Sequence, residues 1–236
     1  MGRAGTGTAD DVTAARRAGR RPPGDGTRRC GTSHGALPRD PPHDSACRVR
    51  GRRRGRRGAE YAVVPRRGAV YGAGVLIRGA QDDDWPAIYP FFATIVEEGR
   101  SYAFPEGLTL EQARGWWMES PPGRTVVAVD GPVVLGSAKM GPNRPGRGSH
   151  VATASFMVDP QHSGRGVGRA LGEHVVDWAR TAGFRGIQFN AVVETNEVAV
   201  GLWRSLGFDV LATVPRAFDH PEHGLVGLHL MFLDLA

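Results

Sequence analysis

The stretch Val158-Asp159-Pro160-Gln161-His162-Ser163-Gly164-Arg165-Gly166-Val167-Gly168-Arg169-Ala170-Leu171 decides how this chain is read. An apolar strand ends at Asp159-Pro160. Glycines at 164, 166 and 168 then alternate directly before a helix whose apolar residues Leu171, Val175, Val176 and Trp178 recur at helical spacing. Glycine lets successive backbone N–H groups approach an anion closely, and a new helix N-terminus adds unsatisfied donors and partial positive charge. Arg165 and Arg169 add guanidinium groups suited to phosphate. The segment reads as a pyrophosphate cradle. A plain glycine-rich turn is the bland alternative, and Rossmann dinucleotide sites use a similar device. A Rossmann site, however, expects these glycines after the first strand of a βαβ unit, whereas here they follow the fourth predicted strand, behind an antiparallel hairpin.

Working outward, order begins at the short strand Val75-Leu76-Ile77-Arg78. Asp82-Asp83-Asp84 opens a helix over 85–96, acidic residues being favourable at its N-terminus, with Pro86 in the first turn. A second helix starts at Thr109, with Gln112 three residues on as a capping box, and runs to about Met118. Strands over 124–129 and 132–139 flank Asp130-Gly131, a hairpin dipeptide that supplies positive φ. A fourth strand over 151–158 leads into the cradle and a helix over 168–182. A strand over 186–193, a helix over 196–206 and two strands near 208–214 and 225–234 follow. The order βααββ–β–α–β–α–ββ predicts an α/β fold of the α+β type, a mixed, mostly antiparallel sheet of about seven strands flanked by about four helices. Residues 75–236 are ample for a core of their own.

Strand, Val-Asp-Pro, alternating glycines, Ala170-Leu171 and helix resemble the acetyl-CoA-binding segment of the GNAT superfamily of N-acetyltransferases. Asn196, Ala199, Val200, Trp203, Leu206, Gly207 and Phe208 resemble that family's second cofactor-side helix. The likeness covers roughly Val75 to the C-terminus. It implies acetyl-CoA as co-substrate, no metal, and a cofactor set of Met157, Val158, Ser163, Gly164, Arg165, Gly166, Val167, Gly168, Arg169, Asn196 and Trp203. Two positions depart from the family. Ser163 stands where Arg or Gln is usual, so basic help falls to Arg165, Arg169 or backbone alone. Trp203 stands where a Tyr often serves the leaving thiolate. An indole N–H donates but is no usable acid, yet a thiolate with a pKa near ~8.5 can leave unprotonated.

Within the superfamily, Pro142-Asn143, Ser149-His150, Phe189-Asn190, Val193 to Asn196 and Trp203 resemble the yeast-type acetyltransferases of azetidine-2-carboxylate and related proline analogues. That family also has Trp at the leaving-group position. The resemblance implies catalytic-side roles for Asn190, at the substrate end of its strand, and for Thr153, where the family has an Asn. It also implies direct attack by a neutral amine on the thioester, with a backbone N–H of Met157 or Val158 as oxyanion donor. Glu194 is the candidate proton acceptor beside Glu97, Glu98 and His150, each of which also reads as an ordinary surface residue. His220-Pro221-Glu222-His223 lacks the i, i+4 spacing of a zinc helix and reads as a connecting loop.

The formal net charge of +6 is misleading as an average. Residues 1–74 carry 17 Arg and no Lys against 6 acidic residues, or +11; residues 75–236 carry 13 basic against 18 acidic, or −5. The first stretch is rich in Gly, Arg and Pro and poor in large apolar residues, so it is expected to be a disordered extension. Three readings stay open for it: an arm that neutralises phosphates, an upstream extension without a role, and a transit peptide, Arg-rich and acid-poor but broken by Pro and Gly rather than amphipathic. No aromatic precedes Tyr61 for stacking on bases, which weighs against the arm; nucleic acid is not an expected partner, and 1–74 is the one stretch that could engage it. Both cysteines, Cys30 and Cys47, lie there too. No apolar run approaches the ~18–20 residues that span a bilayer, and no signal-peptide pattern opens the chain. The expectation is a cytoplasmic acetyltransferase of a small-molecule amine, an amino acid or a toxic analogue, with a homodimer common in the family. Its alternatives are a peptide or protein N-acetyltransferase and a non-catalytic acyl-CoA-binding module.

Overall fold

The computed structural model describes residues 69–71 and 74–236; the rest of the Arg-rich extension, with Cys30 and Cys47, lies outside the described residues. The elements are β1 (Ala69–Tyr71), β2 (Val75–Gly79), α1 (Trp85–Glu97), α2 (Leu110–Trp117), β3 (Arg124–Asp130), β4 (Val133–Pro142), β5 (Val151–Val158), α3 (Val167–Thr181), β6 (Gly186–Val193), α4 (Glu197–Ser205), β7 (Asp209–His220) and β8 (Gly224–Asp234). All eight strands join one sheet in the order β1-β2-β3-β4-β5-β6-β8-β7. Every neighbouring pair is antiparallel except β5 and β6, which run parallel. The mixed, mostly antiparallel sheet with four α-helices is the expected architecture. Its eighth strand, β1, lies in the stretch assigned from sequence to the extension. The β3–β4 loop falls one residue later than expected, on Gly131-Pro132, because Asp130 still pairs with Val133.

Local chemistry accounts for the helix starts. Asp84 does more than supply negative charge: it takes a bidentate pair from Arg78 at 2.7 Å and accepts the Gln81 N–H at 2.7 Å. Those bonds, with Arg78 foremost, hold its carboxyl below the usual carboxylate range and fix β2 to the start of α1. Thr109 and Gln112 form the predicted capping box at α2. In α1, Trp85, Ile88, Phe92 and Val96 share one face and are buried.

The sheet separates two cores. Trp85, Phe92 and Trp117 of α1 and α2 pack with Val127, Val129, Val134 and Met157 on one face. On the other, α3 supplies Leu171, Val175 and Trp178, and Trp203 comes from α4, against Ala138, Met140, Ala152 and Ile187. Burying a side chain the size of Trp117 contributes roughly 2–3 kcal/mol, and its Nε1 is not left orphaned, donating to the buried Ser137 hydroxyl at 2.9 Å. One β-bulge changes the alternation. Ala128 pairs with Gly136 but Val129 with Val134, so Leu135 is the extra residue and joins Ala138 and Met140 on the α3 face.

Candidate active site

β5 pairs with β4 along its whole length, from Ala152 opposite Pro142 to Val158 opposite Gly136. With β6 it pairs only at Val151 and Ala152. Beyond Ala152 the two parallel strands splay. The direction of β5's backbone groups follows from its bonds. Odd-numbered residues face β4, as Val151 O receives the Asn143 N–H and Asp159 N–H reaches Leu135 O, while His150 O is bonded from the β6 side by Arg185 N–H. The backbone groups of Ala154, Phe156 and Val158 therefore point into the splay. This corrects the sequence expectation for Met157: it lines the cleft, but its N–H is turned toward Ser137 on β4. Val158 keeps the orientation an oxyanion donor needs.

At the carboxyl end of β5 lies the cradle. Asp159 accepts the Gln161 N–H at 2.9 Å and holds His162 Nδ1 at 3.1 Å, stapling the turn. Gly164 and Gly166 adopt φ +76° and +79°, a region other residues enter only with strain. Gly166 is the N-cap of α3, and no side chain caps that helix. A Cβ at either glycine would meet open space, and with no side-chain cap the first-turn N–H groups of α3 are the donors an anion would take up. Ser163, Val167 and Gly168 complete the loop, Val167 with its side chain buried in the α3 core. Arg165 reaches Asp130 at 3.0 Å and Arg169 reaches Ser205 at 2.9 Å. Both guanidinium groups flank the loop at the surface.

The cleft along the splay has a volume of about 520 Å³. Trp203 forms one wall, its ring 4.5 Å from Phe156 and 5.0 Å from Phe189. Asn196 also lines the cleft, but its Oδ1 accepts the Ala199 N–H at 3.1 Å as the N-cap of α4. The opposite wall, Tyr102, Phe104 and Trp116, comes from α2 and the segment between α1 and α2. Trp116 tilts against Phe104 at 5.4 Å, unlike its buried neighbour Trp117. Among the described residues lining this cleft, Glu98 is the sole carboxylate and none is a Lys, Arg or His.

Asn190 and Thr153 do come together. Asn190 Nδ2 donates to Asn143 Oδ1 at 2.7 Å and approaches Thr153 Oγ1 at 3.5 Å, while Gln188 Nε2 donates to Asn190 Oδ1 at 2.8 Å. A bulge in β6 presents this cluster: Phe189 pairs with Met231 and Val192 with His229, so Asn190 and Ala191 oppose a single residue. Thr153 and Asn190 also border a second recess beyond the cleft, with Lys139 and Glu119.

Glu194 is a correction. It does not line the cleft. Its N–H donates to Gly227 O and its carboxylate accepts the Gly227 N–H, extending the β6–β8 ladder by one side chain. Glu97 is likewise absent from the lining, and His150 Nδ1 sits 3.0 Å from Arg147 O in its own loop. At the β7–β8 turn, ligand atoms of His220, Glu222 and His223 lie within 4.8 Å of one another. Two of those groups are engaged already: His220 Nδ1 accepts the Glu222 N–H, and Arg100 pairs with Glu222 at 2.6 Å.

Sequence reading placed Tyr102 and Phe104 in a segment, from Ile95 on, that resembles the substrate-framing part of phosphinothricin-type acetyltransferases, but it gave the Tyr102 hydroxyl no partner. That hydroxyl donates to Phe156 O at 2.7 Å and accepts the Phe156 N–H at 2.9 Å. Burial raises the pKa of this phenol well above its usual value. Aromatic residues at 102 and 104 in a short connection were the available signal, but nothing local to them indicated a partner 54 residues away.

No helix among the described residues is long and apolar enough to cross a membrane. The sequence profile described as the acetyltransferase (GNAT) family matches residues 85–208. Over 75 residues the chain is 39% identical to the N-acetyltransferase aca1 of Schizosaccharomyces pombe, a match covering 32% of this chain and 36% of that protein. Over 92 residues it is 34% identical to the L-amino acid N-acyltransferase MnaT of Escherichia coli, covering 39% and 53%. The matched part thus spans between about a third and a half of these relatives' length. Among solved structures, a GCN5-related N-acetyltransferase from Kribbella flavida is 61% identical with a TM-score of 0.67, covering 68% of this chain and 98% of that one. The yncA protein of Salmonella typhimurium, solved with its cofactor acetyl-CoA, is 26% identical with a TM-score of 0.59, covering 69% and 94%.

Proposed function

The chain belongs to the acetyltransferase (GNAT) family, and from that premise we propose that it transfers the acetyl group of acetyl-CoA to the amine of a small metabolite, an amino acid or a toxic analogue of one. The observation that carries this reading is the β5–β6 splay, with an anion cradle at one end and the Asn190–Thr153–Asn143 cluster at the other. The glycine loop and α3 would hold the pyrophosphate, with Arg165 and Arg169 releasing Asp130 and Ser205 to reach it. Backbone N–H groups of β5 that face the splay would stabilise charge developing on the thioester oxygen. Asn190 and Thr153 would orient the amine for in-line attack. Asn190 cannot take its proton. Glu98, the one carboxylate in the wall, draws the cationic amine and accepts that proton. The names of the MnaT and aca1 relatives support an N-acyltransferase of this kind. A cytoplasmic setting belongs to the same proposal.

The test is thiol release from acetyl-CoA by the full chain against amino acids, proline analogues, simple amines and peptides with free N-termini. Turnover with one small-molecule group is the expected result. Tight CoA binding with silence across the small molecules would sink the proposal, and turnover on peptides alone would replace the acceptor class.

A further inference from the structure

We propose that Tyr102 is a positioning residue of the acyl site, holding the Phe156 N–H in the free protein and yielding it to the thioester carbonyl when acetyl-CoA binds. The inference rests on the acetyl-CoA reading above and deepens it. Three β5 residues turn their backbone groups into the splay. Val158 adjoins the cradle, and Ala154 adjoins the Thr153–Asn190 cluster that would orient the amine. Phe156 lies midway, where a thioester carried from cradle to acceptor passes. Its two backbone groups are the ones the Tyr102 hydroxyl occupies, at 2.9 and 2.7 Å.

The exchange balances. A carbonyl oxygen can accept the Phe156 N–H but has no proton for the Phe156 C=O. The hydroxyl therefore surrenders its acceptor bond and keeps its donor bond to Phe156 O, which asks for a pivot rather than withdrawal of the segment. That segment is braced for a small motion. The Tyr102 ring packs 5.1 Å from Phe104 and edge-on at 6.1 Å to Trp117. Two residues earlier, Arg100 pairs with Glu222 on the β7–β8 turn. Free CoA carries no acyl carbonyl and makes no claim on the Phe156 N–H, so the competition is felt by acetyl-CoA alone.

The experiment is calorimetric titration of acetyl-CoA and of CoA into the full chain and into its Tyr102→Phe variant. Losing the hydroxyl removes the competitor, so acetyl-CoA is expected to bind roughly threefold to tenfold tighter while CoA affinity stays the same. The unsatisfied Phe156 C=O left by the variant is common to both titrations and cancels in their ratio. A ratio that does not move, or moves toward CoA, overturns the proposal while leaving the acetyl-CoA reading intact. Failure of the wild-type protein to bind either ligand overturns both. Should Tyr102→Phe lose its melting transition, Arg100→Met decides instead. It leaves the hydroxyl in place and loosens the brace, so the same ratio is expected to rise about twofold, and an unchanged ratio is again fatal.

Discussion

The two ends of the cleft are built in opposite ways. The cradle is one continuous segment, 158–169, whose strand end, glycines and helix start are consecutive in the chain. The acceptor end and the middle of the cleft are assembled from residues far apart: Asn190 meets Asn143 across 47 positions and Thr153 across 37, and midway Tyr102 meets Phe156 across 54. A ligand common to a whole family can be gripped by local backbone, since N–H groups need only the right φ and a helix to follow. A discriminating pocket needs side chains with separate backbones behind each. The cradle should accordingly be sensitive to backbone chemistry and the acceptor end to individual side chains.

The largest effect expected from that contrast is at Gly166. Gly166→Val places a β-branched residue at φ +79° and a side chain over the open N–H groups, removing charge-assisted bonds of roughly 1.5–3 kcal/mol each. CoA affinity is expected to fall by about three orders of magnitude with the far-ultraviolet circular dichroism preserved. Unaltered affinity would mean that the anion binds elsewhere.

The next effect concerns stability of the cradle's own helix. Burial lowers the pKa of His174 on α3 to about 4, partly offset by Asp177. Its folded value lies below the unfolded ~6.5, so the unfolded state binds the proton first. Stability is full above about pH 6.5 and declines as the pH falls toward 4, by on the order of 2–3 kcal/mol. Denaturant midpoints measured across that window should show the decline, and His174→Gln should flatten it.

At the acceptor end, Asn190→Ala should lower kcat/KM for the amine roughly tenfold to thirtyfold, the worth of one or two neutral hydrogen bonds, with the acetyl-CoA affinity unchanged. Equal loss of both would blur the division between the two ends. The smallest effect is expected at Glu194→Gln. An amide oxygen still accepts the Gly227 N–H, so turnover should stay within about threefold of wild type, whereas a general base would cost about a hundredfold or more. Steady-state kinetics at saturating acetyl-CoA separates the two outcomes.

The mistakes of sequence reading follow the same division. Val151–Val158, Gly186–Val193 and the Thr109 cap were legible because pleat alternation and capping are local rules. Met157 was misread because its side chain and its N–H obey different neighbours; only the pairing with Ser137 on β4 reveals which way the N–H turns. Glu194 was misread because its partner, Gly227, lies on a strand that returns 33 residues later. The bulges at Leu135 and Asn190 left no mark in residue type, since each exists only relative to a partner strand.

Val158 to Leu171 carried the first half of the family resemblance and the expectation of an anion grip, because a glycine's φ and a helix N-terminus need no distant residue to act. Tertiary structure alone decided which backbone groups of β5 face the cleft, that Tyr102 occupies those of Phe156, and that Glu98 rather than Glu194 enters the wall. Those outcomes depend on where β5 and β6 part and on what the α1–α2 segment brings across the gap, and both are properties of paired strands.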